Sequence, residues 1–164
     1  MTKPERTILT LCLVCTETHV LLAMKKRGFG AGRFNGFGGK VEPGESVEVA
    51  AAREMMEEGN IEPVSMQKVG LLTFTFLEST IELEVHVFKV TDFNGDPTES
   101  EEMKPQWFAW SDIPYEQMWV DDEYWLPFVQ AGQCFTGAFL LDAPATPEHQ
   151  GKIIQHTLTP VVSL

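Results

Sequence analysis

Short apolar runs separated by polar pairs dominate the start of the chain. Residues 7–16 and 19–24 are rich in Leu, Val, Ile and Thr, with Glu17-Thr18 between them, and predict two β-strands. A third strand is predicted at 37–41, just before the pattern changes. Ser46 is a good N-cap, Val47 to Met56 has no Gly or Pro, Ala50 to Ala52 favour helix, and Gly59-Asn60 is a stop signal. Residues 46–59 therefore predict one helix. Strand character returns at 69–77 and 81–91, with alternation in Leu83-Glu84-Val85-His86-Val87, and an acidic turn region carrying Asn94-Gly95 follows. These two runs predict an antiparallel pair. A short strand at 106–110, a helix at 122–130 and strands at 134–141 and 153–158 complete the order, with a Pro-rich loop at 143–151. Such an order predicts a mixed sheet with helices packed on it, an α/β fold in the broad sense.

Length and composition fit that reading. The 164 residues, 43% of them hydrophobic, suffice for one domain with a sizeable core, and no shift in composition or internal repeat divides 1–164. A net charge of −12 argues against stable nucleic-acid binding or attachment to an anionic membrane, since both rely on basic patches. Five of the twelve Lys and Arg nevertheless lie in residues 25–40: Lys25, Lys26, Arg27, Arg33 and Lys40. A small polyanion suits that local reversal, and a solvated basic loop is the plainer reading. Cys12, Cys15 and Cys134 are an odd number, and the first residues lack an apolar signal region, which favours a reducing, cytoplasmic setting, with nucleus and mitochondria as further compartments. Cys12 and Cys15 lie three apart on a strand and face opposite ways, so core thiols are a better reading than zinc ligands. No apolar run approaches the length of a membrane span.

The candidate chemistry lies on the first helix. At 3.6 residues per turn Glu54, Glu57 and Glu58 share a face. Three such carboxylates weaken an isolated helix by roughly 0.2–0.5 kcal/mol for each close like-charged pair, and a positive group should compensate them. A hard divalent cation does this well, because Mg²⁺ takes oxygen ligands and is usually shared between carboxylates and substrate phosphate. A solvated acidic face is the alternative for an arbitrary E-x-x-E-E. The glycine-rich approach Gly39-Lys40-Val41-Glu42-Pro43-Gly44-Glu45 and its fixed spacing to Arg53-Glu54 favour the metal-dependent cleavage of a diphosphate.

With these residues in register, the chain resembles the Nudix hydrolases, whose motif is G-x5-E-x7-R-E-U-x-E-E-x-G-U with U a bulky apolar residue. Gly39, Glu45, Arg53, Glu54, Met55, Glu57, Glu58 and Ile61 match it, and Asn60 replaces the last glycine. Asn is the next best residue at a left-handed helix end, so the departure touches the cap and not the acids. The resemblance implies an α/β/α sandwich. It also implies that Glu54, Glu57 and Glu58, with the Gly38 carbonyl and Glu102, hold Mg²⁺, for which Mn²⁺ can substitute. Arg53 is expected to orient the carboxylates, and either Glu58 or Glu102 to take the proton of the attacking water.

Residues 24–41, Trp119-Val120-Asp121-Asp122-Glu123-Tyr124-Trp125, Glu101 to Pro105 and Asp112-Ile113-Pro114 further resemble the animal oxidised-purine nucleoside triphosphatase branch of that family. Phe34 stands where Trp is expected, and the likeness fades in the loop 143–151, which is longer than usual. This resemblance implies that Asn35, Asp121 and Asp122 read the purine edge and that Trp119 stacks on the ring. It also implies that Phe29, Phe74, Leu83 and Thr10 line the pocket, and that Lys25 reaches the sugar or phosphate side. Expected partners are modified purine nucleoside triphosphates, 8-oxo-dGTP and 2-oxo-dATP, and the expected state is a monomer. Two carboxyls in a dry pocket do not both ionise easily, so Asp121 and Asp122 are expected to exchange donor and acceptor roles between the two bases. Plainer readings stand beside these: Asp122 as the cap of 123–130, Trp119 and Phe74 as ordinary core, and Gly28-x-Gly30-x-Gly32 as a flexible loop. Another diphosphate substrate, such as a methylated purine triphosphate or a dinucleoside polyphosphate, and a non-catalytic nucleotide-binding module are the competing functions.

Overall fold

A computed structural model describes residues 3, 5–146 and 148–164. The described residues form β1 (Glu5–Cys15), β2 (His19–Lys25), β3 (Phe34–Asn35), α1 (Val47–Gly59), β4 (Glu62–Phe76), β5 (Ile81–Asn94), β6 (Met103–Ala109), α2 (Asp122–Ala131), β7 (Phe135–Leu141) and β8 (Ile153–Pro160). Single 3₁₀ turns at Trp110–Asp112 and Tyr115–Gln117 lead into α2. The sheet runs β3-β2-β1-β5-β4-β7-β8, with β6 on the other edge of β2. Pairs β1/β5 and β4/β7 are parallel and the remaining pairs antiparallel, which makes the sheet mixed, as the strand pattern predicts.

The two helices cover opposite faces. Alternation along β1 sends Cys12 and Val14 toward α1, where they meet Phe37, Ala51, Met55, Ile61, Phe88 and Val90. Leu11, Leu13 and Cys15 point the other way, into a larger cluster with Leu72, Val87, Phe135, Phe139 and the α2 residues Trp125, Leu126 and Val129. Helix, sheet and helix thus form three layers in the α/β/α sense. Truncating one of the fully buried aromatics Trp125, Phe135 or Phe37 to Ala in such a core typically costs about 3–5 kcal/mol.

Helix α1 begins and ends as its sequence dictates. The Ser46 hydroxyl accepts from the Val49 N–H at 3.2 Å, and Asn60 closes the helix in the left-handed region, φ 58°, its N–H donating to the Met56 carbonyl.

The expected strand at 37–41 is not what forms. Strand β3 is two residues long and earlier, pairing Phe34 and Asn35 with β2, and only Phe37 and Lys40 bridge to β1. The reason is a fork in the sheet: β1 and β2 pair directly only at Val14/Leu21 and Cys15/Val20, and residues 34–41 wedge between them. The wedge is held by Cys12 N–H to the Phe37 carbonyl (2.6 Å), Thr10 N–H to the Gly39 carbonyl (2.9 Å) and Val41 N–H to the Ile8 carbonyl (3.0 Å). Gly38 permits this approach, since a Cβ there would lie 1.8 Å from the Thr10 carbonyl oxygen. Strand bounds elsewhere shift outward: β4 starts at Glu62 through register irregularities at Pro63–Met66 and Lys68–Gly70, and β6 starts at Met103 and stops before Trp110.

Candidate active site

The fork opens a cavity of about 340 Å³ reaching from the Gly38-Gly39 turn and Glu58 to Trp119, Asp121 and Asp122. One end is ionic and the other aromatic.

At the ionic end α1 supplies the acids and the wedge supplies backbone. The carboxylate of Glu58 is buried, and its Oε1 accepts from the Gly38 N–H at 2.9 Å while Oε2 stands 3.5 Å from Lys25 Nζ. Burial pushes the Glu58 carboxyl up to about 7, against the opposing pull of the Gly38 N–H and Lys25. Glu54 is also raised, by burial first, while Arg53 beside it draws it down. Arg53 grips Glu45 with Nη2 at 2.6 Å and Nε at 3.0 Å, reaches Glu54 at 3.0 Å and Glu57 at 3.4 Å through Nη1, and donates to the Lys40 carbonyl at 3.1 Å. One guanidinium therefore fixes the helix to the wedge. Lys25 also meets Glu102 at 3.3 Å, and the Arg27 guanidinium, 2.7 Å from Glu102, holds that carboxyl below its usual range, with Lys25 adding to the effect.

Two basic side chains stand beside the acidic face, Arg53 as the sequence predicts and Lys25 in addition. Arg53 pairs with Glu54 and Glu57, and Lys25 with Glu58 and Glu102; among the described residues no three His, Cys, Asp or Glu side chains are already drawn together as a metal-binding group. Lys25, expected toward the sugar or phosphate, stands between two of the expected metal ligands.

At the aromatic end, Trp119 lies under Phe29, ring centroids 5.1 Å apart, and the Arg33 guanidinium sits 4.7 Å from its ring centre. Gly30 makes room, as a Cβ there would come 3.1 Å from Trp119 Cζ2. Phe74 and Leu83, partners across β4 and β5, line the wall, and Phe74 stacks on Phe139 at 5.6 Å. Asn35 and Thr10 reach the same cavity from β3 and β1; Asn35 Oδ1 accepts from the Gly36 N–H at 2.9 Å.

Asp121 and Asp122 are buried at the start of α2, 7% and 2% exposed, and neither caps it through a side chain. Asp121 Oδ2 accepts from Trp125 Nε1 at 2.7 Å, one helical turn on, whereas Asp122 Oδ2 has no partner. Burial raises both carboxyls above the usual aspartate range. Asp121 is raised less, because the Trp125 N–H favours its charged form; Asp122 is raised well above, by burial, then by the charge of Asp121. Two adjacent, buried carboxyls do not both ionise easily.

A NUDIX domain model matches residues 5–129. The chain belongs to the NUDIX domain family. These family members are hydrolases that use a divalent metal ion. An oxidized purine nucleoside triphosphate hydrolase of Danio rerio is 44% identical over 159 residues, 96% of this NUDIX chain and 97% of that protein. The Mus musculus protein of the same name is 45% identical over 154 residues, 94% and 95% of the two chains. The crystal structure of a MutT protein from Bacillus halodurans superposes with a TM-score of 0.77 at 27% identity, over 93% of this chain and 97% of that one.

The residues fit a hard divalent ion in kind: the donors are carboxylate and carbonyl oxygens, and Gly39 leaves space beside them, since a Cβ there would lie 2.6 Å from Glu54 Oε1. Trp125, Glu45, Arg33 and Pro144-Ala145 carry no site role in the sequence pattern alone. Trp125 was signalled by its place four residues after Asp121, and Glu45 by its motif position. Arg33 was hidden among the basic residues of 25–40, and Pro144 and Ala145, which line the cavity, carry no chemical signal.

Proposed function

We propose that the protein hydrolyses oxidised purine nucleoside triphosphates, 8-oxo-dGTP and 2-oxo-dATP, to the monophosphate and pyrophosphate with Mg²⁺, and so cleanses the nucleotide pool. The observation that carries this reading is the buried, adjacent Asp121–Asp122 pair at the aromatic end of a cavity whose other end is Glu58 and the Gly38-Gly39 turn. The names of the two curated relatives support the same substrate class.

In this reading the purine lies against Trp119 between Phe29, Phe74 and Leu83, and Asn35, Asp121 and Asp122 meet its polar edge. Asp122 donates and Asp121 accepts; moving the proton to Asp121 presents the reverse pattern to a base with the opposite groups. Unmatched polar atoms here are buried, so a base lacking its partners is rejected strongly. Glu54, Glu57, Glu58, Glu102 and the Gly38 carbonyl would hold Mg²⁺, which when bound neutralises triphosphate charge and lowers the pKa of water. Arg53 keeps Glu54 and Glu57 in place through Glu45 and Lys40. Glu58 or Glu102 takes the proton of the attacking water. A bond forms from this water to the β-phosphorus, and the bond from that phosphorus to the oxygen bridging it to the α-phosphorus breaks. The nucleoside monophosphate leaves with the bridging oxygen.

Free, buried thiols at Cys12, Cys15 and Cys134 support a reducing compartment such as the cytoplasm, nucleus or mitochondrion. No described helix is long and apolar enough to cross a membrane. We take the active unit to be a monomer of one domain, since the proposed machinery lies within this chain.

Turnover in ¹⁸O-labelled water tests the reaction. The label is expected in pyrophosphate; label in the monophosphate would place the attack at the α-phosphorus, and release of inorganic phosphate would refute the assignment.

A further inference from the structure

The loop 143–151, where the sequence resemblance fades, reaches the cavity through described residues on one side of position 147. Pro144 and Ala145 line it, and Ala145 is buried. The loop is closed on itself at its base: Asp142 Oδ1 accepts from the N–H groups of Ala143 and Lys152, both at 2.8 Å, and Asp142 N–H donates to the Lys152 carbonyl at 2.9 Å. Thr146 and His149 exchange backbone hydrogen bonds at 2.8 and 3.2 Å, and His149 Nε2 lies 3.1 Å from Asp142. Gly151, φ +83°, brings the chain back against Leu141.

Arg33 connects this loop to the aromatic end. It is 5% exposed; Nη2 donates to the Thr146 carbonyl at 2.8 Å while the guanidinium plane rests on Trp119, and its Nε has no partner. Burying a guanidinium with one N–H unmatched is costly, and the ring face and the carbonyl are what offset it here. The same group therefore fixes two walls at once, one from the segment before α2 and one from the β7–β8 connection.

We propose that the loop 143–151 is the wall that limits the size of the purine admitted beside Trp119, and that Arg33 is its positioning residue. The inference rests on the nucleotide reading above. A wall of Pro144 and Ala145 held at both ends rejects added bulk by steric exclusion, as a pocket rejects an extra methylene. Freed from Arg33, the loop swings on its Asp142 base and the exclusion weakens.

The test compares 8-oxo-dGTP with a purine triphosphate carrying a benzyl group on its exocyclic nitrogen. It uses the full-length protein, Arg33→Met, Arg33→Lys and a variant with residues 144–150 replaced by two glycines. Arg33→Met and the shortened loop are expected to raise kcat/KM for the bulky substrate relative to 8-oxo-dGTP by about tenfold, through a lower KM. Arg33→Lys, which keeps a cation and a donor, should restore most of the discrimination. Cleavage at Glu148 by a glutamate-specific protease should accelerate in Arg33→Met and return toward the native rate in Arg33→Lys. An unchanged substrate ratio in both the methionine and loop variants, or equal Glu148 cleavage in the native and methionine proteins, would overturn the proposal. If the native protein turns over neither triphosphate, the oxidised-purine reading falls. The loop proposal is then decided by the ratio of dissociation constants for the same two nucleotides on the same proteins.

Discussion

Trp125→Phe isolates the hydrogen bond that sets the charge on the aspartate pair. In the native protein the indole N–H donates at 2.7 Å to Asp121, both residues being buried. Its loss leaves a buried, charged acceptor short of a donor, a change of about 1.5–3 kcal/mol for a bond to a charged group. The phenyl ring also fills less space against Phe135, 5.9 Å away, which adds about 1–2 kcal/mol for incomplete refilling. The sum, about 2.5–5 kcal/mol, corresponds to a fall in Tm of about 5–20 °C for a chain of this size. The two parts separate by pH. Burial places the folded pKa of Asp121 above its unfolded value near 4, and without the Trp125 donor it rises further. Where the folded state holds more protons than the unfolded state, stability falls as pH rises, and in the variant this fall continues to higher pH. The destabilisation should therefore be smallest near pH 4, where only the packing part remains, and grow toward pH 7.5. Thermal unfolding followed by circular dichroism at pH 4, 5.5 and 7.5 measures it. A destabilisation independent of pH, or one below about 1 kcal/mol at pH 7.5, would refute the assignment of the charge to Asp121.

Two further substitutions probe the two ends of the cavity. Asp122→Asn removes a group whose folded pKa lies well above its unfolded one, so the variant should lose less stability than the native protein between pH 4 and pH 7. It should also shift the ratio of 8-oxo-dGTP to 2-oxo-dATP turnover differently from Asp121→Asn; equal, small effects on both substrates would contradict the shared-proton account. Gly39→Ala puts a Cβ 2.6 Å from Glu54 Oε1 and must displace that carboxylate, so turnover should fall by about a hundredfold with little change in Tm, as checked by metal titration of activity beside thermal unfolding.

How much of this was legible in the sequence depended on whether local chemistry decided the outcome. Helix α1 was legible because Ser46, the Ala run and Gly59-Asn60 each act within a turn of the chain, and the acids on its face follow from the helical period alone. The opposite orientation of Cys12 and Cys15 followed from the strand period in the same way. The short β3 and the wedge were not legible, because they depend on β1 and β2 diverging, and on Gly38 meeting a carbonyl from a strand nearly thirty residues earlier in the chain. The early start of β4 was hidden by its polar residues Ser65, Gln67 and Lys68, which the sheet tolerates where it is open to solvent. At the site, motif spacing placed Glu54, Glu57, Glu58 and Arg53 together on α1, and of these Glu58 lines the cavity. The pairing of Lys25 with Glu58 and Glu102 joins three segments, and no spacing along the chain could announce it.

The central claim is that the cavity selects an oxidised purine triphosphate and cleaves it with a divalent ion. Its most direct test is kcat/KM for 8-oxo-dGTP against dGTP, with Mg²⁺ and at substrate concentrations below KM. A preference of about a hundredfold or more for the oxidised base is expected if, as proposed, the buried Asp121–Asp122 pair reads the purine edge. Equal turnover of the two, or turnover of neither alongside rapid cleavage of a different diphosphate, would contradict it.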